Sequence, residues 1–174
     1  IPPEILNRQI RDFKIREKNE LMVNKLKINS KDLIEIKKIL DSEDLFSGGN
    51  DIKDAILIWI NFISLSKLGA ESYNLDDYIN HLSYREPIQL LLDKTDNSIL
   101  KEGILRLTKK SDDDFKKLLV NKNIPLILPE FINSKDYWFF YGIIKNAKGE
   151  LLKDLVREGK FPYYKNKKIL KDKK

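Results

Sequence analysis

The run Ala55–Leu65, AILIWINFISL, constrains this chain more than any other stretch. Laid on a helix, its apolar residues fall on nearly every side from Ile56 to Ile63. A helix apolar all round has to be enclosed, either by other elements or by lipid. A membrane span needs about 18 or more apolar residues in succession, and no run in the chain reaches that length. The segment is therefore expected at the centre of a core, from a cap at Asp51 to about Leu68, with Gly69 as its stop. A chain of 174 residues is long enough to build one sizeable core around it.

The neighbouring sequence supplies helices to do the enclosing. Pro2, Pro3 and Glu4 open a helix, because proline is tolerated in the first turn and an acid suits the positive end of the dipole. From Glu4 to Ile28 the residues Ile5, Ile10, Phe13, Leu21, Val23 and Leu26 recur at loose helical spacing. Charges fill Lys14–Glu20, so this helix is expected to be partly buried or broken there. Asn29–Asp32 reads as an N-cap before a helix to about Leu40. Ser47-Gly48-Gly49-Asn50 reads as a loop. Asn74–Asp77 starts a helix through Leu82, and Glu86-Pro87 restarts it to Asp93.

Asn97–Ile132 is expected to form three short helices. Leu100, Ile104 and Leu107 line the first. Ser111 and Asp112–Asp114 break it and cap the second, which carries Phe115, Leu118 and Leu119. Asn123 ends the second and Pro125 opens the third. A further helix is expected over Lys135–Ala147, holding the aromatic row Tyr137, Trp138, Phe139, Phe140 and Tyr141. Gly149 breaks it before a short helix Glu150–Glu158, and Pro162 begins a last segment. Alternation at period two is hard to find, which favours an all-α protein.

The stretch also aligns with its own surroundings. A shift of 37 residues brings Leu100 onto Tyr137, Ile104 onto Tyr141, Phe115 onto Leu152 and Pro125 onto Pro162. A shift of 48 the other way brings it onto Ile52, Ile56 and Trp59. Periods in this range belong to helical solenoids. LLVNKNIPLILPEFI and LVREGKFPYY resemble the first-to-second helix junction of an armadillo repeat, and KDAILIWINFIS, KEGILRLTKKS and FFYGIIKNA resemble its third helices. HEAT repeats are similar. The resemblance covers about 51–164 and implies a short right-handed array, with 1–50 as an N-terminal helical cap. A compact helical bundle is the alternative. The family's concave-face asparagines would fall on Asn61, Lys109 and Asn146. Its groove tryptophans would fall on Leu57, Leu105 and Gly142, so that ladder is absent. Residues 1–164 are read as one domain and 165–174 as a basic tail.

Charge separates these two parts. From Arg157 to Lys174 there are eight basic residues against two acids, and the other 156 residues carry 25 of each sign. The tail thus accounts for the whole net charge of +6. No cysteine is present, which excludes disulfides and thiolate chemistry and fits a reducing, intracellular compartment, cytoplasmic or nuclear. No signal peptide is visible. The chain starts at Ile1, which is read as the start of a processed product or of a piece of something longer.

Candidate chemistry is sparse. His81 is the only histidine and reads as a packing residue rather than a base or ligand; a hydrolase centred on it is the least favoured reading. Asp112-Asp113-Asp114 lacks the spacing of a calcium loop and reads as helix capping. No cofactor, metal or catalytic residue is expected. The expected function is a non-catalytic module binding another protein within a larger protein or assembly. Its site would comprise Leu57, Asn61, Leu105, Lys109, Lys145 and Asn146, with Trp138 from the aromatic row. The alternative is nucleic-acid binding through Lys160, Lys165, Lys167, Lys168 and Lys171, joined by Arg8, Arg11, Lys14, Arg16 and Lys18.

Overall fold

The computed structural model describes residues 1–43, 45, 51–69, 73–127 and 136–165. The Ser47–Asn50 loop and the tail residues Lys167, Lys168 and Lys171 lie outside these. Helix α1 spans Pro3–Asn24, with proline in its first turn as its sequence requires. It is unbroken across its charged middle and only partly buried, because exposed charges on a helix cost little when they point to water. Helix α2, Ser30–Asp41, starts at Asn29, whose side chain accepts from the Asp32 amide while Asp32 reaches back to the Asn29 amide. This reciprocal cap satisfies two of the amides a helix start leaves open.

Helix α3, Ile52–Ser66, is capped by Asp51 and is the centre of the molecule. Ala55, Ile56 and Trp59 are fully buried, and the helix packs against α1 and three further helices: α4 (Leu75–Ser83), α5 (Arg85–Lys94) and α6 (Ser98–Leu118). Trp59 sits among Phe62, Phe115, Trp138 and Phe139, mostly edge-to-face. Asn74 caps α4 and Asn97 caps α6, each through its side-chain oxygen.

Helix α6 differs from the expected pair of helices. It runs without a break through Ser111 and the three aspartates. These acids cap nothing; each has a cation in reach. Lys109 and Lys110 hold Asp113 and Asp114 one turn on, and Lys67 adds a second contact to Asp114. Lys110 and Lys67 hold the Asp114 carboxyl below the usual carboxylate range. Asp112 faces inward, where it takes a bidentate contact from Arg85 at 2.7 and 3.1 Å and the Trp59 indole N–H at 2.8 Å. Arg85 is 3% exposed. Its Nη1 is buried without a hydrogen-bond partner, and the guanidinium carbon lies 5.6 Å from the Phe139 ring centroid.

The end of the second helix expected in this stretch and the helix expected over Lys135–Ala147 are also corrected, whereas the helix expected from Pro125 to Ile132 lies mostly outside the described residues. Leu119–Pro125 is strand β1 and Tyr141–Ile144 is strand β2, joined antiparallel with Leu119 opposite Ile144 and Val120 opposite Ile143. Trp138–Phe140 is a single 3-10 turn leading into β2. Val120, Ile124, Ile143 and Ile144 are β-branched and suit the pleat, and Asn121 and Asn123 are weak helix formers. Gly142 has φ of +77°, and a Cβ there would stand 2.7 Å from the Val120 carbonyl oxygen. A helix cannot hold that backbone, and a side chain cannot fit there. Of the aromatic row, Phe139 and Phe140 are buried, while Tyr137, Trp138 and Tyr141 are half-buried. The 37-residue register therefore sets a helix against a strand, with Ile104 on α6 and Tyr141 on β2. The 48-residue register sets α3 against α6, helix against helix.

Helix α7, Gly149–Glu158, ends at Gly159 with φ of +68°, and the short α8, Pro162–Lys165, follows. The buried Tyr164 closes this end by donating its hydroxyl to the Ile144 carbonyl. The described residues are thus predominantly helical, with one two-stranded sheet.

Candidate functional site

The residues expected to line a concave face do not share one. Asn61 accepts a hydrogen bond from Asn19 at 2.8 Å and so lies under α1, in the α1–α3 interface. Leu57 is half-buried against the core. Leu105 is exposed on α6, and Lys109, also exposed, pairs with Asp113. Trp138 belongs to the aromatic cluster, with the Lys116 ammonium 4.5 Å from its ring centroid. Lys145 and Asn146 stand on no helix, in contrast to the expectation: they follow β2. Asn146 donates to the Ser66 carbonyl at 2.8 Å, while its side-chain oxygen is buried without a partner. Of the basic set, Lys160 folds back to the Leu126 carbonyl at 3.4 Å and Lys165 ends α8.

The surfaces with functional character meet on α1. Its inner face changes along its length. Toward the C-terminus, Ile15, Asn19, Val23 and Leu26 recur at helical spacing, and Val23 and Leu26 enter the core. Toward the N-terminus the same side carries Arg8, Asp12 and Arg16. The two helices run antiparallel, as the Asn19–Asn61 contact and the approach of Arg8 to Leu68 together require. The arginine-bearing half of α1 therefore overhangs the C-terminal end of α3.

Beneath that overhang is a polar cleft of ≈ 500 Å³. Arg8, Arg11, Asp12 and Arg16 of α1 form one wall. Leu65, Leu68 and Gly69 at the end of α3 line it as well, together with Tyr73, His81 and Lys148. Arg11 is held at 3.0 Å by its neighbour Asp12. Gly69 has φ of +117°, and the Lys148 ammonium lies 3.2 Å from where its Cβ would be. The glycine thus makes room for the lysine. His81 stacks on Phe62 at 5.1 Å, and its Nδ1–H donates to the Asp77 carbonyl at 2.7 Å. Burial pushes the Tyr73 phenol up, Arg16 opposes that shift, and Asp12 and Asp77 reinforce it.

The outer face of α1 is different. Leu6, Ile10, Phe13 and Leu21 follow one another at steps of four, three and eight, which aligns them on the side roughly opposite Asn19 and Val23. All four are exposed, Phe13 at 64% and Leu21 at 62%. Between Phe13 and Leu21 the stripe is crossed by Glu17, and a shallow groove runs here past Arg16, Glu20 and Asn24. A further groove of ≈ 390 Å³ lies between α1 and α6, where Gly103 lets Leu26 approach.

Sequence reading listed Arg8, Arg11 and Arg16 but missed their convergence with His81 and Lys148, which are distant in the chain. It also merged two apolar sets of α1 into one. The signal was present: Leu6, Ile10 and Phe13 do not share a face with Val23 and Leu26. Among the described residues there is no group of three or more histidines and acids placed to hold a metal ion, and no helix long and apolar enough to cross a membrane. No protein-family profile, curated protein or solved structure matches this chain.

Proposed function

We propose that the protein is a non-catalytic interaction module that docks an amphipathic helix of a partner protein along the outer face of α1, within a larger protein or assembly. The observation that carries this reading is the exposed stripe Leu6, Ile10, Phe13 and Leu21. These residues add nothing to the core, yet they are aligned as a core-facing set would be. Large apolar residues aligned in water on one face mark an interaction site. Apolar residues aligned along a helix face suit a second helix laid beside it, which favours a helix as the occupant. Burying Phe13 or Leu21 would contribute about 1.5–3 kcal/mol each. Glu17 in mid-stripe calls for a basic residue opposite, so the partner helix combines apolar residues at i, i+4 and i+7 with one lysine or arginine. The non-catalytic reading is supported by His81, whose ring is taken up by Phe62 and the Asp77 carbonyl.

For the architecture we favour the compact bundle over a right-handed armadillo- or HEAT-like array. A solenoid repeat touches only its sequence neighbours, whereas α3 packs against α1, α4, α5 and α6.

A displayed library of amphipathic helical peptides, selected against the purified protein, tests the docking face. The expected result is enrichment of peptides with the stated pattern, with affinity lost in Phe13→Asp and unchanged thermal stability. Enriched peptides that bind Phe13→Asp equally well would overturn the reading. So would concentration-dependent dimerisation abolished by the same substitution, since the occupant would then be a second copy.

A further inference from the structure

The cleft between the N-terminal half of α1 and the ends of α3 and α4 is separate from the outer stripe, and its chemistry is opposite. Four cationic side chains, Arg8, Arg11, Arg16 and Lys148, line it, and among the described lining residues the one carboxylate is that of Asp12. That carboxylate is engaged by Arg11. Among the described residues, neither Arg16 nor Lys148 has a carboxylate within ion-pair distance. Two features show that the cations are positioned rather than scattered. Lys148 comes from a different part of the chain, and its ammonium is seated against Gly69, where a side chain would crowd it. Tyr73 is half-buried beside Arg16, and its ring lies 4.9 Å from that of His81. The concentration of positive charge is local: outside the last 18 residues the chain has equal numbers of basic and acidic groups.

We propose that this cleft binds a compact organic phosphate carrying two or more phosphoryl groups, of the nucleoside diphosphate class. Like-charged side chains drawn into one concave site raise the local concentration of an anion and have their repulsion relieved by it. Arginine offers paired N–H donors that match phosphate oxygens, and the Lys148 ammonium supplies a point charge from the loop before α7. Two negative charges match Arg16 and Lys148, the cations of the cleft that have no carboxylate at ion-pair distance among the described residues. The volume of ≈ 500 Å³ is that of a small-molecule site. The Tyr73 ring gives one side of the cleft an aromatic surface for a flat, polar ring. A polymer would instead need cations tracking along an open surface, and here they converge from α1 and from the loop before α7. The inference stands apart from the docking face, since Lys148 is no part of the outer stripe.

Calorimetric titration of the whole chain at low salt tests it, with four probes: inorganic phosphate, pyrophosphate, ADP, and a 20-nucleotide single-stranded DNA. Pyrophosphate and ADP are expected to bind one to one, at least tenfold tighter than inorganic phosphate, and to weaken as salt rises. Lys148→Ala and Arg16→Ala should each reduce ADP affinity about tenfold or more, while Lys160→Ala, outside the cleft, leaves it unchanged. Both substituted side chains are at the surface, so melting temperatures should stay at the wild-type value. Tyr73→Ala should weaken ADP more than pyrophosphate. Absence of ADP and pyrophosphate binding would overturn the proposal. Binding that survives Lys148→Ala together with Arg16→Ala would overturn it too. Tight binding of the oligonucleotide with none of pyrophosphate would replace it with a nucleic-acid surface.

Discussion

Helices α1 and α3 lie side by side, and both are rich in isoleucine and leucine, yet they serve opposite ends. On α3 the apolar residues cover nearly the whole circumference, and four helices enclose it. On α1 they form two separate stripes, one docked on the core through Val23 and Leu26 and one left in water through Phe13 and Leu21. The difference lies in arrangement rather than in how apolar the residues are. A stripe is folded away only when another element has a matching face, and among the described residues none covers the outer side of α1. The comparison separates residues that hold the molecule together from residues it displays.

Substitution on α3 should produce the largest loss. Trp59→Ala empties a fully buried site and removes the indole N–H from Asp112, so a cost of about 3–5 kcal/mol is expected in urea unfolding. A cost below about 1 kcal/mol would show that α3 is not the centre described here. Asp112→Ala should come close behind, at about 3–5 kcal/mol, because it leaves the Arg85 guanidinium buried and unpaired. The double variant Asp112→Ala with Arg85→Met should recover part of that loss. If it does not, the pair is not coupled as its geometry implies.

Gly142→Ala should cost less, about 1–3 kcal/mol, from positive φ together with the clash on the Val120 carbonyl. It is read in the same unfolding experiment, and a neutral result would mean that the β1–β2 pairing is adjustable. At the far end of the scale, Phe13→Ala should leave stability within about 0.5 kcal/mol of wild type. A loss of 2 kcal/mol or more would place Phe13 in the core and erase the distinction between the two stripes.

The helical part of this fold was legible where local chemistry decides it. Asn29, Asp51, Asn74 and Asn97 are short polar residues before apolar periodicity, and each caps a helix. The apolar circumference of α3 announced its burial. Legibility failed where tertiary contacts overrule local signals. Asp112–Asp114 read as a helix start because clustered acids usually stabilise one; here Arg85, Trp59 and lysines one turn earlier satisfy them in mid-helix. The strands β1 and β2 were hidden because each is short, and pairing between residues as far apart as Leu119 and Ile144 leaves no periodicity to read. The candidate cleft was beyond reach for the same reason. Lys148 is brought to Arg16 by the whole fold, and nothing near either residue in the chain points to the other.

The account turns on whether the outer stripe of α1 is a binding face. The most direct measurement is the affinity of a selected amphipathic helical peptide for the wild-type protein and for Phe13→Asp. The account predicts a loss of about 100-fold or more with an unchanged unfolding midpoint, as expected for an anchor residue that belongs to the interface alone. Equal affinity for the two proteins would contradict it.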